Sequence, residues 1–234
     1  MLTFRSIASS SAGNLYLLSD GETAVMLDCG LPWKKVVEAV GYDQAWSLPI
    51  LVTHEHRDHC RGILDSHCQN DIYLPAETAK ALQLSDHRIR VIEQGKTYTV
   101  GSMRMVGFPL IHDVECYGYL LRGKDGDMAA YIIDTAYMPH RLPPLSLLAI
   151  GCNYIPEKLR AGAASGEIHE RLAHRIITSH MSVDEVVNYI SKMDKTLLYK
   201  IYLLHLSDRL SDEEAMKEAV RTAAPSAQVF VAPK

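Results

Sequence analysis

Residues 51–62 read LVTHEHRDHCRG, and within them His54, His56, Asp58 and His59 follow directly on an apolar run. Residues two apart in a strand point to the same side, so His54 and His56 can grip one ion at a strand end. Asp58 and His59 come at the turn into the next element, where they suit a second ion. Zinc, manganese and iron all accept imidazole and carboxylate ligands. Two such ions about 3.5–4 Å apart can clamp the attacking and leaving oxygens of a phosphoryl displacement, and a metal brings the pKa of its bound water down to about 7.

One loop cannot close two coordination spheres, so further ligands are expected at the ends of later strands. Three positions fit: His112 ends MVGFPLIHD, Asp134 ends MAAYIID, and His205 ends YKIYLLHLS. A lone strand-ending Asp is more often a turn cap than a ligand. Three apolar runs that each end in a candidate donor point to strands converging on one sheet edge.

The elements that position these residues can be read from periodicity. Residues 2–7, 14–19 and 24–29 read as strands, with Asp20–Gly21 as a tight hairpin turn. Val36, Val37 and Val40 recur on one face of a helix over 33–41. A short strand, 49–53, runs into the histidines, and a helix is expected over 58–66. Strands follow at 71–74, 89–93, 97–100, 103–111, 116–122, 128–134, 145–150, 199–206 and 227–231. Helices are expected at 75–84, 167–174, 182–193 and 211–223. The mixture favours an α/β layered architecture with mixed sheets and outer helices.

The chain of 234 residues is 47% hydrophobic and carries a formal net charge of −4, so no global basic field draws nucleic acid. Its five cysteines form no CxxC pair, and no signal-peptide pattern or membrane-length apolar run is present. These features read as a reduced, cytoplasmic setting with no membrane partner. Eleven histidines are many for this length and accord with a metal site.

The motif THEHRDH, followed in order by His112, Asp134 and His205, resembles the metallo-β-lactamase superfamily over nearly the whole chain. Finer stretches resemble its YycJ-like (WalJ-like), nuclease-like branch. They are SIASSSAGN at 6–14, VMLDCG at 25–30, GYLL at 118–121, IIDTAY at 132–137, CNY at 152–154, RIITSHMS at 175–182 and LLHLS at 203–207. The resemblance implies a four-layered αββα sandwich with two mixed sheets, formed by residues 1–234 as one hydrolase domain. It implies two divalent ions, zinc or manganese. His54, His56 and His112 would hold one, Asp58, His59 and His205 the other, and Asp134 would bridge them. Zinc β-lactamases of the commonest type carry Cys at the bridging position. An Asp there matches phosphodiesterases and glyoxalase II-like hydrolases.

Among other residues, His180 in TSHMS either packs beside a helix capped by Ser182 and Glu185 or faces the metals to protonate a leaving alkoxide. The branch carries a histidine there, which favours the catalytic role. Ser10, Ser11, Gly13 and Asn14 form a polar turn or an anion nest. Asp28 is expected to orient the histidine loop through hydrogen bonds, and Asn153 and Tyr154 to line the cleft. Cys60 reads as a packed core side chain. Arg171, His174 and Arg175 read as a solvated helix face, and His67, His87, His140 and His169 as surface or loop residues.

The expected function is a binuclear metal-dependent phosphodiesterase, nuclease-like, that attacks phosphodiester bonds of DNA or RNA with a metal-bridging hydroxide. Asp58 would orient the nucleophile or take its proton, and His180 would assist the leaving group. The alternatives are a cyclic-nucleotide or small-molecule phosphodiesterase and a thioesterase or lactonase. A regulatory protein with a dead site is disfavoured because every expected ligand position is filled. Oligomeric state stays open, a homodimer being the commonest default.

Overall fold

The structure is a computed structural model that describes residues 1–65 and 68–233. His67 and the end of the helix expected over 58–66 lie outside the described residues. The strands are β1 (Thr3–Ser10), β2 (Gly13–Ser19), β3 (Ala24–Leu27), β4 (Ile50–Leu51), β5 (Ile72–Pro75), β6 (Ile89–Ile92), β7 (Thr97–Val100), β8 (Met103–Pro109), β9 (Tyr117–Arg122), β10 (Met128–Ile132), β11 (Leu147–Gly151), β12 (Lys200–Leu204) and β13 (Gln228–Val231). The helices are α1 (Trp33–Val40), α2 (Tyr42–Ser47), α3 (Arg57–Cys60), α4 (Ala76–Ala81), α5 (Pro156–Ser165), α6 (Glu170–Ser179), α7 (Val183–Lys192) and α8 (Glu213–Ala223). Two mixed sheets result, a six-stranded one in chain order β1 to β6 and a seven-stranded one in the order β13-β12-β11-β10-β9-β8-β7.

The chain divides into two compact units, the first built on Met1–Pro109 and Val114–Met128, the second on Leu110–Asp113 and Ala129–Ala232. In the first, Trp33, Val36 and Val40 fall on one face of α1 and bury against Met26, Ile50, Val52 and Leu74. Strands β3, β4 and β5 run parallel, Leu27 facing Leu51 and Leu51 facing Tyr73. In the second, β10 to β13 are parallel, with Ile132 beside Ile150 and Gly151 beside Leu204. All five residues of β11 are buried, as expected of a central parallel strand. Ligand sites in such sheets collect beyond the carboxyl ends of the strands, so both parallel sets direct attention to the residues that follow β3, β4, β10, β11 and β12.

Four helices depart from the sequence reading. The helix expected over 58–66 is a single α-turn, α3, followed by a 3₁₀ turn over Arg61–Leu64. The change comes where Gly62 N–H donates to the Cys29 carbonyl at 2.7 Å, outside any helix ladder. α2 and α5 lack apolar periodicity: α2 buries only Ala45, and α5 only Leu159 and Gly162. The helix expected over 167–174 runs instead over Glu170–Ser179, its first turn capped by the His169 ring, which accepts from Arg171 N–H. All five cysteines are buried and form no disulfide among the described residues. Burial pushes the Cys60 thiol up to about 12, which bears out its reading as a packed core residue.

Candidate functional site

In the first unit the chain leaves β4 through Val52 and Thr53. Its backbone there is held by β9: Tyr119 donates its hydroxyl to the Val52 carbonyl, and Tyr117 N–H donates to the Thr53 carbonyl at 3.0 Å. His54 follows, fully buried. Its Nε2 lies 3.0 Å from His56 Nδ1, so the two rings meet, although both residues lie beyond β4 in irregular backbone rather than in a strand. Asp58 and His59 sit in α3, and the His59 ring centre is 4.2 Å from that of His54.

One buried carboxylate ties the ends of this loop together. Asp28, just past β3, accepts from Thr53 N–H at 2.8 Å and Thr53 Oγ1 at 2.9 Å, and its Oδ2 lies 2.7 Å from His59 Nδ1. The pairing puts the ring proton on Nδ1 and leaves Nε2 as the lone-pair nitrogen, the usual support of a metal-ligating histidine. The orienting role expected of Asp28 is therefore present. Its φ of 57° is left-handed, a conformation that costs a non-glycine residue about 1 kcal/mol or more. Gly30 lets the backbone pass: a Cβ there would sit 1.7 Å from the Asp58 carbonyl oxygen.

Asn14 does more than form a polar turn. Its Nδ2 lies 3.1 Å from His59 Nε2, 3.3 Å from Asp58 Oδ2 and 3.2 Å from the Asp58 carbonyl. Tyr16 donates to Asn14 Oδ1 at 3.0 Å, and Ser9 Oγ is 2.7 Å from the Tyr16 hydroxyl. A chain of side chains from the β1–β2 hairpin thus props the histidine loop. No local signal points to this, because the partners are 44 and 45 residues apart.

In the second unit the donors come from separate segments. Asp134 lies just beyond β10 and His205 directly after β12, both left-handed, with φ of 46° and 56°. Asn153, beyond β11, stands beside His205. Its Nδ2 donates to the His205 carbonyl at 3.0 Å and lies 3.0 Å from His205 Nδ1, while its Oδ1 accepts from Met181 N–H at 3.2 Å. His112 enters on the loop after β8, pinned where Ile111 N–H donates to Thr135 Oγ1 at 3.0 Å and Ala136 N–H to the Ile111 carbonyl at 2.9 Å. Its Nδ1 donates to the Ser179 carbonyl at 3.0 Å. Burial lowers the His112 pKa, against the pull of Asp134 and Asp113, and keeps the ring in its neutral, ligating form.

His180 caps the C-terminus of α6, its Nδ1 3.3 Å from Asp134 Oδ1 and its ring stacked on His205 at 5.6 Å. It stands among the second unit's donors and keeps about a quarter of its side chain exposed. Ser182 caps α7 as expected, accepting from Glu185 N–H at 3.2 Å. Of the basic residues on α6, Arg175 pairs with Asp113 at 3.0 Å.

The chain thus carries His and Asp groups that could hold a metal ion. No helix among the described residues is long and apolar enough to cross a membrane.

Comparison with known proteins accords with this geometry. The family model described as "Beta-lactamase superfamily domain" matches residues 37–205. Exodeoxyribonuclease WalJ of Streptococcus pneumoniae is 27% identical over 86% of this chain and 80% of its own length. Exodeoxyribonuclease YycJ of Bacillus anthracis is 24% identical over 88% of this chain and 83% of its own. The metallo-β-lactamase fold protein YhfI of Bacillus subtilis superposes with a TM-score of 0.74 at 17% identity, covering 99% of this chain and 97% of that one. A family match across the histidine loop and all three strand-end donors, on a frame of two mixed sheets with helices, makes the chain a hydrolase of the β-lactamase superfamily with the metallo-β-lactamase fold.

Proposed function

We propose that residues 1–234 act as one hydrolase domain, a binuclear metal-dependent phosphodiesterase that cuts nucleic acid. The observation that carries the reading is the likeness to exodeoxyribonucleases over most of the chain. The donor set fits divalent ions. His59 and His112 each hold Nδ1 against an oxygen acceptor, which leaves Nε2 as the lone-pair nitrogen. Imidazole and carboxylate donors suit zinc or manganese.

In this reading His54, His56 and His112 would hold one ion, Asp58, His59 and His205 would hold the second, and Asp134 would serve both. The bound ions would supply an activated water at neutral pH and absorb charge on the phosphoryl oxygens. Asp58 accepts a proton from the nucleophilic water or orients it through its carboxylate. Asn14, beside Asp58 Oδ2, fixes which way that carboxylate faces. His180 donates a proton to the departing alkoxide, its Nδ1 held 3.3 Å from Asp134 Oδ1. A carboxylate at position 134, where a thiolate would bind one ion more tightly, suits a pair of ions serving a phosphodiester.

The test is hydrolysis of bis-p-nitrophenyl phosphate beside 5′-labelled single- and double-stranded DNA and RNA. The protein is stripped with chelator, resupplied with zinc or manganese, and compared with His59→Ala. Metal-dependent cleavage of polymer, lost in the variant, is expected. Cleavage of the small diester alone would replace a nuclease with a small-molecule phosphodiesterase. Cleavage of thioesters or lactones with neither phosphodiester touched would overturn the reading.

A further inference from the structure

Beyond Asp134 the chain continues through Thr135–Tyr137 into an irregular stretch, 138–142, opposite the last turn of α7. Met138, Pro139, His140, Arg141 and Leu142 on one side and Tyr189, Lys192, Met193 and Asp194 on the other enclose a cavity of about 400 Å³. Small-molecule sites span roughly 300–1,000 Å³ and pair apolar walls with a few placed polar groups. The walls here are thioether, pyrrolidine, isobutyl and phenol surfaces. Met138 follows Asp134 by four residues, so their Cα atoms are at most about 15 Å apart.

The charge of the lining is the informative part. Arg141 and Lys192 are exposed, and neither has an acidic partner among the described residues. Asp194, the carboxylate of the lining, serves its own turn by accepting from Thr196 N–H at 2.9 Å. Hydrogen bonds from the Thr196 backbone and side chain hold its pKa down, so it stays ionised and keeps these two donors. Lys192 is not needed to cap α7 either. Lys195 Nζ already takes the carbonyls of Ile190 at 3.0 Å and of Ser191 and Met193 at 3.3 Å. Arg141 and Lys192 thus stand at the cavity with no ion-pair partner among the described residues.

Tyr189 adds an independent observation. Its hydroxyl is buried and has no hydrogen-bond partner among the described residues, an unfavourable state for a polar group. Burial pushes its pKa up to about 12, so the group keeps its proton and can only gain from an incoming acceptor.

We propose that this cavity binds a nucleotide through its phosphate, with Arg141 and Lys192 on the phosphate oxygens and the base against Tyr189, Met138 and Met193. The cavity has room for one nucleotide. A free 5′-mononucleotide released by cleavage and a phosphate-bearing nucleotide within a strand share this chemistry. The proposal rests on the nuclease reading for the source of the nucleotide; the binding event is independent of it.

The experiment is calorimetric titration of the full, metal-loaded chain with 2′-deoxyadenosine 5′-monophosphate and, separately, with 2′-deoxyadenosine. The wild type is compared with the double variant Arg141→Gln/Lys192→Gln, whose exposed positions spare folding, and with His59→Ala. Expected are binding of the nucleotide, weaker binding of the nucleoside, at least tenfold weakening in the double variant, and affinity retained in His59→Ala. A second arm uses 5′-phosphorylated and 5′-hydroxyl oligonucleotides. Loss confined to the mononucleotide assigns the site to free product, and loss confined to the oligonucleotide assigns it to the strand. Equal affinity of the wild type and the double variant for every probe overturns the proposal. If the wild type cleaves no polymer while the double variant loses nucleotide affinity, the nuclease reading falls and the nucleotide site stands. Polymer cleavage with nucleotide affinity insensitive to the double variant gives the converse.

Discussion

In the first unit the four candidate ligands lie between positions 54 and 59, whereas in the second His112, Asp134, His180 and His205 come from four separate segments. The contiguous set depends on a tight passage of backbone, at Gly30, and on one carboxylate, Asp28, that holds both ends of the loop. The dispersed set depends on the register of parallel strands, which brings the residues after β10, β11 and β12 to one edge. A local cluster can be broken by one methyl group. A dispersed one is over-determined by the sheet.

Gly30→Ala gives the largest expected effect. The added carbon would fall 1.7 Å from the Asp58 carbonyl oxygen, a backbone atom that cannot swing aside. Destabilisation of about 3 kcal/mol or more is expected, together with loss of bound metal. The matched change in the second unit, Gly151→Ala, meets nothing nearer than 3.5 Å and should cost under about 1 kcal/mol. Thermal unfolding and metal analysis of the pair decide it, and equal costs would end the contrast.

Next comes Asp28→Asn. The substitution keeps the shape but replaces one acceptor of the Thr53 and His59 bonds with an amide. Metal affinity should fall about 10–100-fold, the usual loss when the partner behind a ligating histidine is removed. A chelator competition showing unchanged affinity would remove Asp28 from the site's support.

A third test uses a carboxylate of the first unit that serves the fold. Burial pushes the Asp20 pKa up, but donors from Thr23, Ser102, Glu22 and Lys124 outweigh it and bring it down to about 2. Because the folded value lies below the unfolded value of about 3.9, the stabilisation is complete above pH 4 and is lost as pH falls towards 2. It amounts to roughly 2–3 kcal/mol. Asp20→Asn should remove that part of the acid slope in a denaturant series at stepped pH, and an unaltered slope would contradict it. The smallest effect belongs to Ser182→Ala, which removes the α7 cap and should cost about 1 kcal/mol in the same series.

The same contrast governs what could be read without a structure. The motif HxHxDH announces itself because its spacing is local. His112, Asp134 and His205 were legible because each ends an apolar run, so strand periodicity located them. Asn14 gave no such signal: its side chain acts across 45 residues, and only the folded hairpin shows which way it faces. α5 escaped because a helix that buries only Leu159 and Gly162 leaves no apolar stripe, although Pro156 at its start was a usable sign. The helix expected over 58–66 was cut short by Gly62 docking on Cys29, again a long-range event.

The buried thiols have a practical consequence. Cys29, Cys60, Cys68 and Cys116 belong to the first unit and Cys152 to the second, and all five are buried in the native state. A thiol reagent reacts with thiolate that solvent can reach, so each sulfur is silent until its surroundings open. Alkylation rates followed sulfur by sulfur would therefore act as five internal clocks. Cys152 would time the second unit, and the other four would time the first, from the hairpin side of the histidine loop to the strand that anchors it.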